Sequence, residues 1–352
     1  MKASRIFSLI LVVCLVGGLF SGCGKGQENV LKLYNYGDYM SDELLKQFEK
    51  ETGIRVRQDT FDTNEDMYVP VANKQVQYDL IICGDYTIEK MIKNDLLQPL
   101  NYDNIPNAAN LDKDYMAKLA GADPGNKYAI PYTWGTVGIL YNTTMIPEGS
   151  ITSWRDLWDA KYEQYGIVMQ NSVRDTFMVA EMILGIDMNT TKEEDLKRVV
   201  DLLMEQKPIV QSWKNDEARD ELIERNAGIG MIYSGEYLYC TEKNAELAFV
   251  IPEEGTNVWF DCFVIPANAQ NVSAAEKFID FMLRAESGLA TFEELGYPIP
   301  NTAAIQLLDE EYLTDENIFP PQELLDKCDV YHYLGEDADE LLNKYWKQYR
   351  SN

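Results

Sequence analysis

Apolar positions along the chain come in short runs separated by polar, amphipathic stretches, the pattern of strands alternating with helices. Val30–Tyr36 reads as a strand. Ser41 follows as a helix cap, with Leu44, Leu45 and Phe48 on one face, Asp42 and Glu43 in the first turn, where the helix dipole favours acids, and Gly53 as the stop. Ile54–Val56 and Tyr78–Gly84 are further strand candidates. Tyr78–Gly84 is a nearly unbroken apolar run ending in a turn signal, as in a buried parallel strand. Capping-box spacings at Ser153/Asp156, Thr191/Glu194 and Ser273/Glu276 predict helix starts, and Ser172/Asp175 predicts a helix to about Leu184 before Gly185. Gly228–Gly235, Ala245–Pro252 and Val258–Pro266 read as strands. The expectation is an α/β fold opening with βαβ units. No repeat, low-complexity tract or long linker interrupts it, so two lobes would be joined by ordinary strands crossed more than once.

The first residues depart from this pattern. Lys2 and Arg5 precede an apolar stretch, Ile6–Phe20, too short for a membrane-spanning helix, and Ser21-Gly22-Cys23 follows. Residues 1–22 therefore read as a signal peptide. Cys23 reads as the acylated first residue of a bacterial lipoprotein and 23–27 as lipidated cysteine and tether, although Phe20 stands where such boxes usually carry Leu. A secreted protein with a chance cysteine is the plainer alternative. Localisation is expected to be extracytoplasmic, with the membrane touched only through the lipid.

The 352-residue chain has a formal charge of −27, and the leader holds two cations and no acid. That balance disfavours nucleic acid and anionic lipid surfaces and suits a cationic ligand; solubility alone is the bland explanation. Cys83, Cys240, Cys262 and Cys328 show no CxxC spacing, which argues against structural zinc, while a disulfide among them stays open. His332 is the sole histidine. No metal and no cofactor is expected.

Three segments pair aromatic residues with acids: Tyr34–Tyr39 after the first strand, Gly84-Asp85-Tyr86 after a later one, and Trp259-Phe-Asp261 within a strand. In open α/β sheets, ligands sit beyond the carboxyl ends of strands, where the first two segments lie. Side chains alternate along a strand, so Trp259 and Asp261 share a face. The combination suits an organic amine. A carboxylate offsets the ammonium, and a ring face takes both charge and methylenes, with cation–π attraction of about 0.5–2 kcal/mol per contact. A long amine charged at both ends would want acids at both ends of an aromatic slot. Taken singly, Trp259 could be core, Asp38 and Asp85 turn formers, and Asp175 a helix-start residue.

The stretches Leu33–Tyr39, Glu49–Ile54, Asn64–Tyr68, Ile130–Gly135, Ser153–Trp158, Ile265–Ala269 and Gly296–Asn301, in that order, resemble the spermidine/putrescine-binding proteins of bacterial polyamine ABC importers. The resemblance covers about Leu31 to Tyr349. It implies a periplasmic-binding-protein-like fold of type II, with two α/β lobes, a crossed-over chain and a central ligand cleft. Lobe one would be 28–132 plus 258–306 and lobe two 133–257 plus 307–352. The family's pocket maps onto Tyr36, Asp38, Tyr39, Tyr86, Tyr233, Trp259, Asp261 and Tyr297, and its helix-start acid onto Asp175. Tyr36 and Tyr233 replace tryptophans, Asp175 replaces a glutamate, and Ser172 replaces a second acid. Asp85 joins the candidates beside Tyr86, and His332 stands at the position of a late glutamine. The implied partners are a polyamine and the membrane permease of an ABC importer, the protein itself being a monomer and not an enzyme. A same-fold receptor for a thiamine-like cation or ferric iron is the runner-up, which a coloured, iron-loaded preparation would favour. A surface hydrolase using two carboxylates is the third reading, and turnover lost on Asp261→Asn would mark it.

Overall fold

Leu31 and Leu33 are buried and Lys32 between them is exposed, so β1 (Val30–Tyr36) turns one face to the core. In the computed structural model, which describes residues 29–351, β1 lies parallel to β2 (Arg55–Phe61) on one side and β3 (Leu80–Gly84) on the other. The connecting helix α1 (Asp42–Thr52) starts where Ser41 accepts the Glu43 N–H and stops at left-handed Gly53. The expected signal peptide, acylated Cys23 and tether, residues 1–27, lie outside the described residues.

The sheet runs β2-β1-β3-β9-β4-β7-β5-β6, with β8 also paired to β4. Its pivot is β4 (Ala129–Asn142), buried along all 14 residues. Residues Ala129–Thr136 pair antiparallel with β9 (Val258–Val264), and Val137–Asn142 pair with β7 (Ile229–Tyr233) and β8 (Leu247–Val250). One strand thus belongs to both halves of the sheet. A register irregularity falls between Pro131 and Thr133, as expected where Pro cannot donate to the ladder. β5 (Ile167–Gln170) and β6 (Val210–Lys214) complete the second half. Helices cover both faces of the first half, one core around Phe48, Phe263, Phe278 and Phe281, the other around Ile81, Trp134 and Phe260. Trp154, fully buried and donating to Gly255 O (2.8 Å), anchors the second half.

Two expected caps are replaced. The helix Glu193–Gln206 begins after Lys192, and the Thr190 hydroxyl, not Thr191, takes the Lys192 N–H (3.2 Å). Three acids in its first turn supply the favourable end charge instead. Ser273 lies inside the helix Val272–Met282, because Glu276 is drawn away to accept Asn101 N–H (3.2 Å) and the Asn104 amide (2.6 Å). The Ser153 capping box holds, on a short 3₁₀ turn, and Ser172 caps α2 (Val173–Leu184). β2 is longer than its sequence suggests and mostly exposed, an edge strand that periodicity reads poorly. Cys83, Cys240, Cys262 and Cys328 are free thiols. Among the described residues, no helix is long and apolar enough to cross a membrane.

The inner face of α2 buries Glu181, only 3 % exposed, and burial pushes its carboxyl up to about 8; Asp85, equally enclosed, is pushed to about 7. Unfolded, both groups ionise near the ordinary carboxylate range. Between about pH 4 and 8 the native state therefore binds more protons, and stability falls as pH rises through that window. Glu181→Gln is expected to raise the melting temperature at pH 8 by about 2–5 °C and to change it less at pH 5, read by calorimetry at both.

Candidate functional site

The chain leaves β1 through a turn in which Asp38 takes a left-handed conformation (φ 46°), and this folds Tyr39 back beside Tyr36. Both phenols donate to one carboxylate. Tyr39 Oη lies 2.9 Å from Asp261 Oδ2, and Tyr36 Oη 3.3 Å from Oδ1. Asp261 is carried on β9, flanked in register by Gly84 of β3 and Thr133 of β4. Thr133 hydrogen-bonds the Tyr39 hydroxyl (2.5 Å), and Asn64 Oδ1 accepts Gly84 N–H (3.1 Å) and, 2.9 Å from Tyr36 Oη, shares that phenol's single proton with Asp261. Burial pushes the Asp261 carboxyl up to about 6 against the opposing pull of its two phenol hydrogen bonds. Tyr36 and Tyr39 are raised well above the ordinary phenol value by burial and then by the Asp261 charge, so both stay neutral donors.

Trp259 projects from the same strand face as Asp261, as alternation requires. Its ring meets Tyr297 edge-on at 5.3 Å and Tyr233 at 6.0 Å, and Tyr297 meets Tyr39 at 5.6 Å. The packing leaves no room for side chains on two glycines. A Cβ at Gly135 would stand 2.5 Å from the Trp259 ring, and one at Gly235 would stand 2.2 Å from Tyr297. Tyr233 comes from β7 and Tyr297 from the segment after the helix Ala285–Leu295, so the rings join the two halves of the sheet.

A second acid sits at the start of α2. Asp175, 5 % exposed, accepts from Tyr233 Oη (3.0 Å), Tyr331 Oη (3.0 Å) and Asn257 Nδ2 (3.4 Å). The adjacent Arg174 guanidinium stacks 4.3 Å over Tyr331 and donates to the backbone oxygen of His332. Tyr86 lies edge-on to Tyr331 at 6.1 Å and donates to Glu65 (3.0 Å).

The structure thus gathers Tyr36, Tyr39, Tyr86, Asp175, Tyr233, Trp259, Asp261 and Tyr297 into one ring-lined array. Four other candidates stand apart from it. Asp85 is 2 % exposed, and its two oxygens accept Tyr86 N–H (2.7 Å) and Phe260 N–H (3.1 Å), a clip between β3 and β9. The Asp38 side chain is 87 % exposed and faces Arg219 at 3.6 Å. Ser172 spends its hydroxyl capping α2. His332 turns its ring to Glu89 (Nδ1 3.8 Å) and contributes a backbone oxygen to Arg174. Conversely, Asn64, Thr133 and Tyr331 escaped sequence reasoning. Asn64 and Thr133 are neither aromatic nor acidic, and Tyr331, two residues after Asp329, gains its place only because the tail returns along the seam, where Val258 N–H meets Asp329 O.

A carboxylate enclosed by neutral phenols and ring faces is chemically matched to a cation whose N–H groups it can accept and whose carbon chain the rings can cover. Comparison with known proteins agrees in kind. The family model described as "Bacterial extracellular solute-binding protein" matches residues 43–320. The spermidine/putrescine-binding periplasmic protein of Escherichia coli K12 is 33 % identical over 332 residues, 94 % of each chain. Among solved structures, a Listeria monocytogenes protein provisionally assigned to spermidine/putrescine ABC transport superposes with a TM-score of 0.86 at 36 % identity, covering 92 % of this chain and 99 % of that one. The spermidine/putrescine ABC transporter substrate-binding protein PotD of Streptococcus pneumoniae gives 0.79 at 37 %, covering 92 % and 98 %.

Proposed function

Because the chain belongs to the bacterial extracellular solute-binding protein family, we propose that it captures a polyamine, spermidine or putrescine, outside the cytoplasmic membrane and delivers it to the permease of an ABC importer. The family is one of transport receptors rather than enzymes, and the fold is the type II periplasmic-binding-protein arrangement of two α/β lobes. In this reading lobe one is 28–132 plus 258–306 and lobe two is 133–257 plus 307–352, with β4 running from one lobe into the other and changing its partner from β9 to β7 between Thr136 and Val137. Acylated Cys23 would tether a monomeric receptor to the membrane.

One observation carries the ligand class: Trp259 and Asp261 share a strand face, and two neutral phenols hold the Asp261 carboxylate. Asp261 offsets one ammonium. Trp259, Tyr297, Tyr233, Tyr39 and Tyr36 wall the methylenes, with Tyr86 continuing the wall. Asp175 orients Tyr233 and Tyr331 and adds negative potential beyond them. Lobe closure would bury the ligand and present both lobes to the permease.

Calorimetry of ligand-stripped protein against putrescine, cadaverine, spermidine, spermine, thiamine and ferric citrate tests the proposal. At least one polyamine is expected to bind. Asp261 must be ionised to pair with an ammonium, and its carboxyl lies near 6 before binding. Affinity is therefore flat above about pH 7 and falls as the pH drops below about 6. Binding of thiamine or ferric iron with no polyamine binding would overturn the assignment.

A further inference from the structure

The helix Asn64–Ala72 starts at Thr63, whose hydroxyl accepts the Asp66 N–H (3.1 Å), and its first turn meets the ring array through two consecutive residues. Asn64 Oδ1 lies 2.9 Å from Tyr36 Oη, and Glu65 Oε1 accepts the Tyr86 phenol (3.0 Å). Glu65 is exposed to solvent, yet protein atoms surround its carboxyl closely enough that desolvation raises it above the ordinary value, the combination expected on the wall of an open cleft. Among the described residues it has no ion-pair partner. The acids nearer Tyr297 differ in this respect, since Glu236 and Asp38 both pair with Arg219.

We propose, on the polyamine reading above, that Glu65 is a ligand-contacting acid: it receives the ammonium that reaches the Tyr86 end of the slot, while Asp261 pairs with another. The other polar groups at that end are already committed. Asp175, 5 % exposed, accepts the Tyr233 and Tyr331 phenols and the Asn257 amide. Ser172 caps α2 and carries no charge. Arg174, the cation of that end, donates to the backbone oxygens of His332 (3.2 Å) and Met188 (3.4 Å) and to Asn189 Oδ1 (3.0 Å), and it stacks on Tyr331. Glu65 and Asp175 set against Arg174 leave one negative charge in excess. Electrostatically, the Tyr86 phenol feels Glu65 ahead of Arg174, so the potential at the wall follows the acid. A carboxylate has room for about four donors. Glu65 takes the Tyr86 phenol and its own N–H, which leaves capacity for an ammonium, and the Tyr86 ring beside it can cover the adjoining methylenes.

The test is calorimetric titration of the ligand-stripped protein with putrescine and with spermidine, for the wild type, Glu65→Gln, Asp66→Asn and Tyr86→Phe, and for Glu65→Gln made in the Tyr86→Phe background. Glu65→Gln keeps the shape and an acceptor for the phenol and removes only the charge. It should weaken the amine that the wild type binds by about tenfold or more, the loss expected when a charged hydrogen bond disappears. Asp66→Asn removes the same charge from the next, exposed position of the same helix and should stay within about threefold of the wild type. Glu65→Gln should cost a similar factor in the Tyr86→Phe background, because the carboxylate acts on the ammonium and not through the phenol. Unchanged affinity in Glu65→Gln overturns the proposal and leaves polyamine capture intact. Equal losses in Glu65→Gln and Asp66→Asn would reduce the effect to the general field of an acidic surface, and disappearance of the Glu65→Gln cost in the Tyr86→Phe background would make Glu65 a holder of the phenol; either result also overturns it. Failure of the wild type to bind either amine removes the polyamine reading itself.

Discussion

Asp261→Asn is expected to lower polyamine affinity by about 2–5 kcal/mol, roughly thirty-fold to several thousand-fold, the cost of leaving one member of an enclosed charge pair without its partner. The substitution is isosteric. The amide oxygen can still accept from one of the two phenols, so the change acts on charge more than on shape. It also removes a carboxylate whose ionisation burial disfavours. The ligand-free variant should therefore melt no lower than the wild type at pH 7.5. Calorimetric titration and a thermal melt on the same preparation check both halves. Wild-type affinity in the variant would contradict the role given to Asp261, and a large drop in melting temperature would show its role to be structural.

The second large effect is steric. Gly235→Ala places a methyl group 2.2–2.3 Å from three atoms of the Tyr297 ring, a distance that packed atoms do not tolerate. Tyr297 cannot simply step aside, because Tyr39 and Trp259 hold it edge-on from two directions. The ring must rotate out of the wall or the two halves must part. Overpacking of this kind costs about 1–3 kcal/mol, and here it falls on the closed arrangement of the rings. Affinity should fall about tenfold or more. Gly37→Ala is the matched control: a Cβ there meets nothing within 4 Å and should change little. Equal affinity in Gly235→Ala would mean that the ring wall does not need this close approach.

What could be read from the residues divides along physical lines. Local codes were legible. Ser41 with Gly53, Ser153 with Asp156, and Ser172 with Gly185 name the bounds of their turns and helices, because capping is settled within a few residues. The pairing of Trp259 and Asp261 on one face followed from strand alternation alone. Competition between neighbours was not legible. Ser273 failed as a cap because Glu276 had better donors in Asn101 and Asn104, more than 170 residues away in sequence. Asp85 carries the same composition signal as Asp261, yet its carboxylate is consumed by two backbone N–H groups from β9 and its own turn. Tyr331 reaches Asp175 from the tail, and no spacing rule connects positions 156 residues apart.

The uninterrupted run of β4 through both halves of the sheet has a mechanical consequence. A loop hinge lets domains swing in many directions at little cost. A ladder-bonded strand resists stretching and sideways shear, because both would break hydrogen bonds, and yields chiefly to torsion about its own axis. Relative motion of the halves should accordingly be a twist of small angle with a single soft coordinate. An amine entering at the edge would then feel the two walls rotate onto it like the jaws of a wrench, rather than shut like a book.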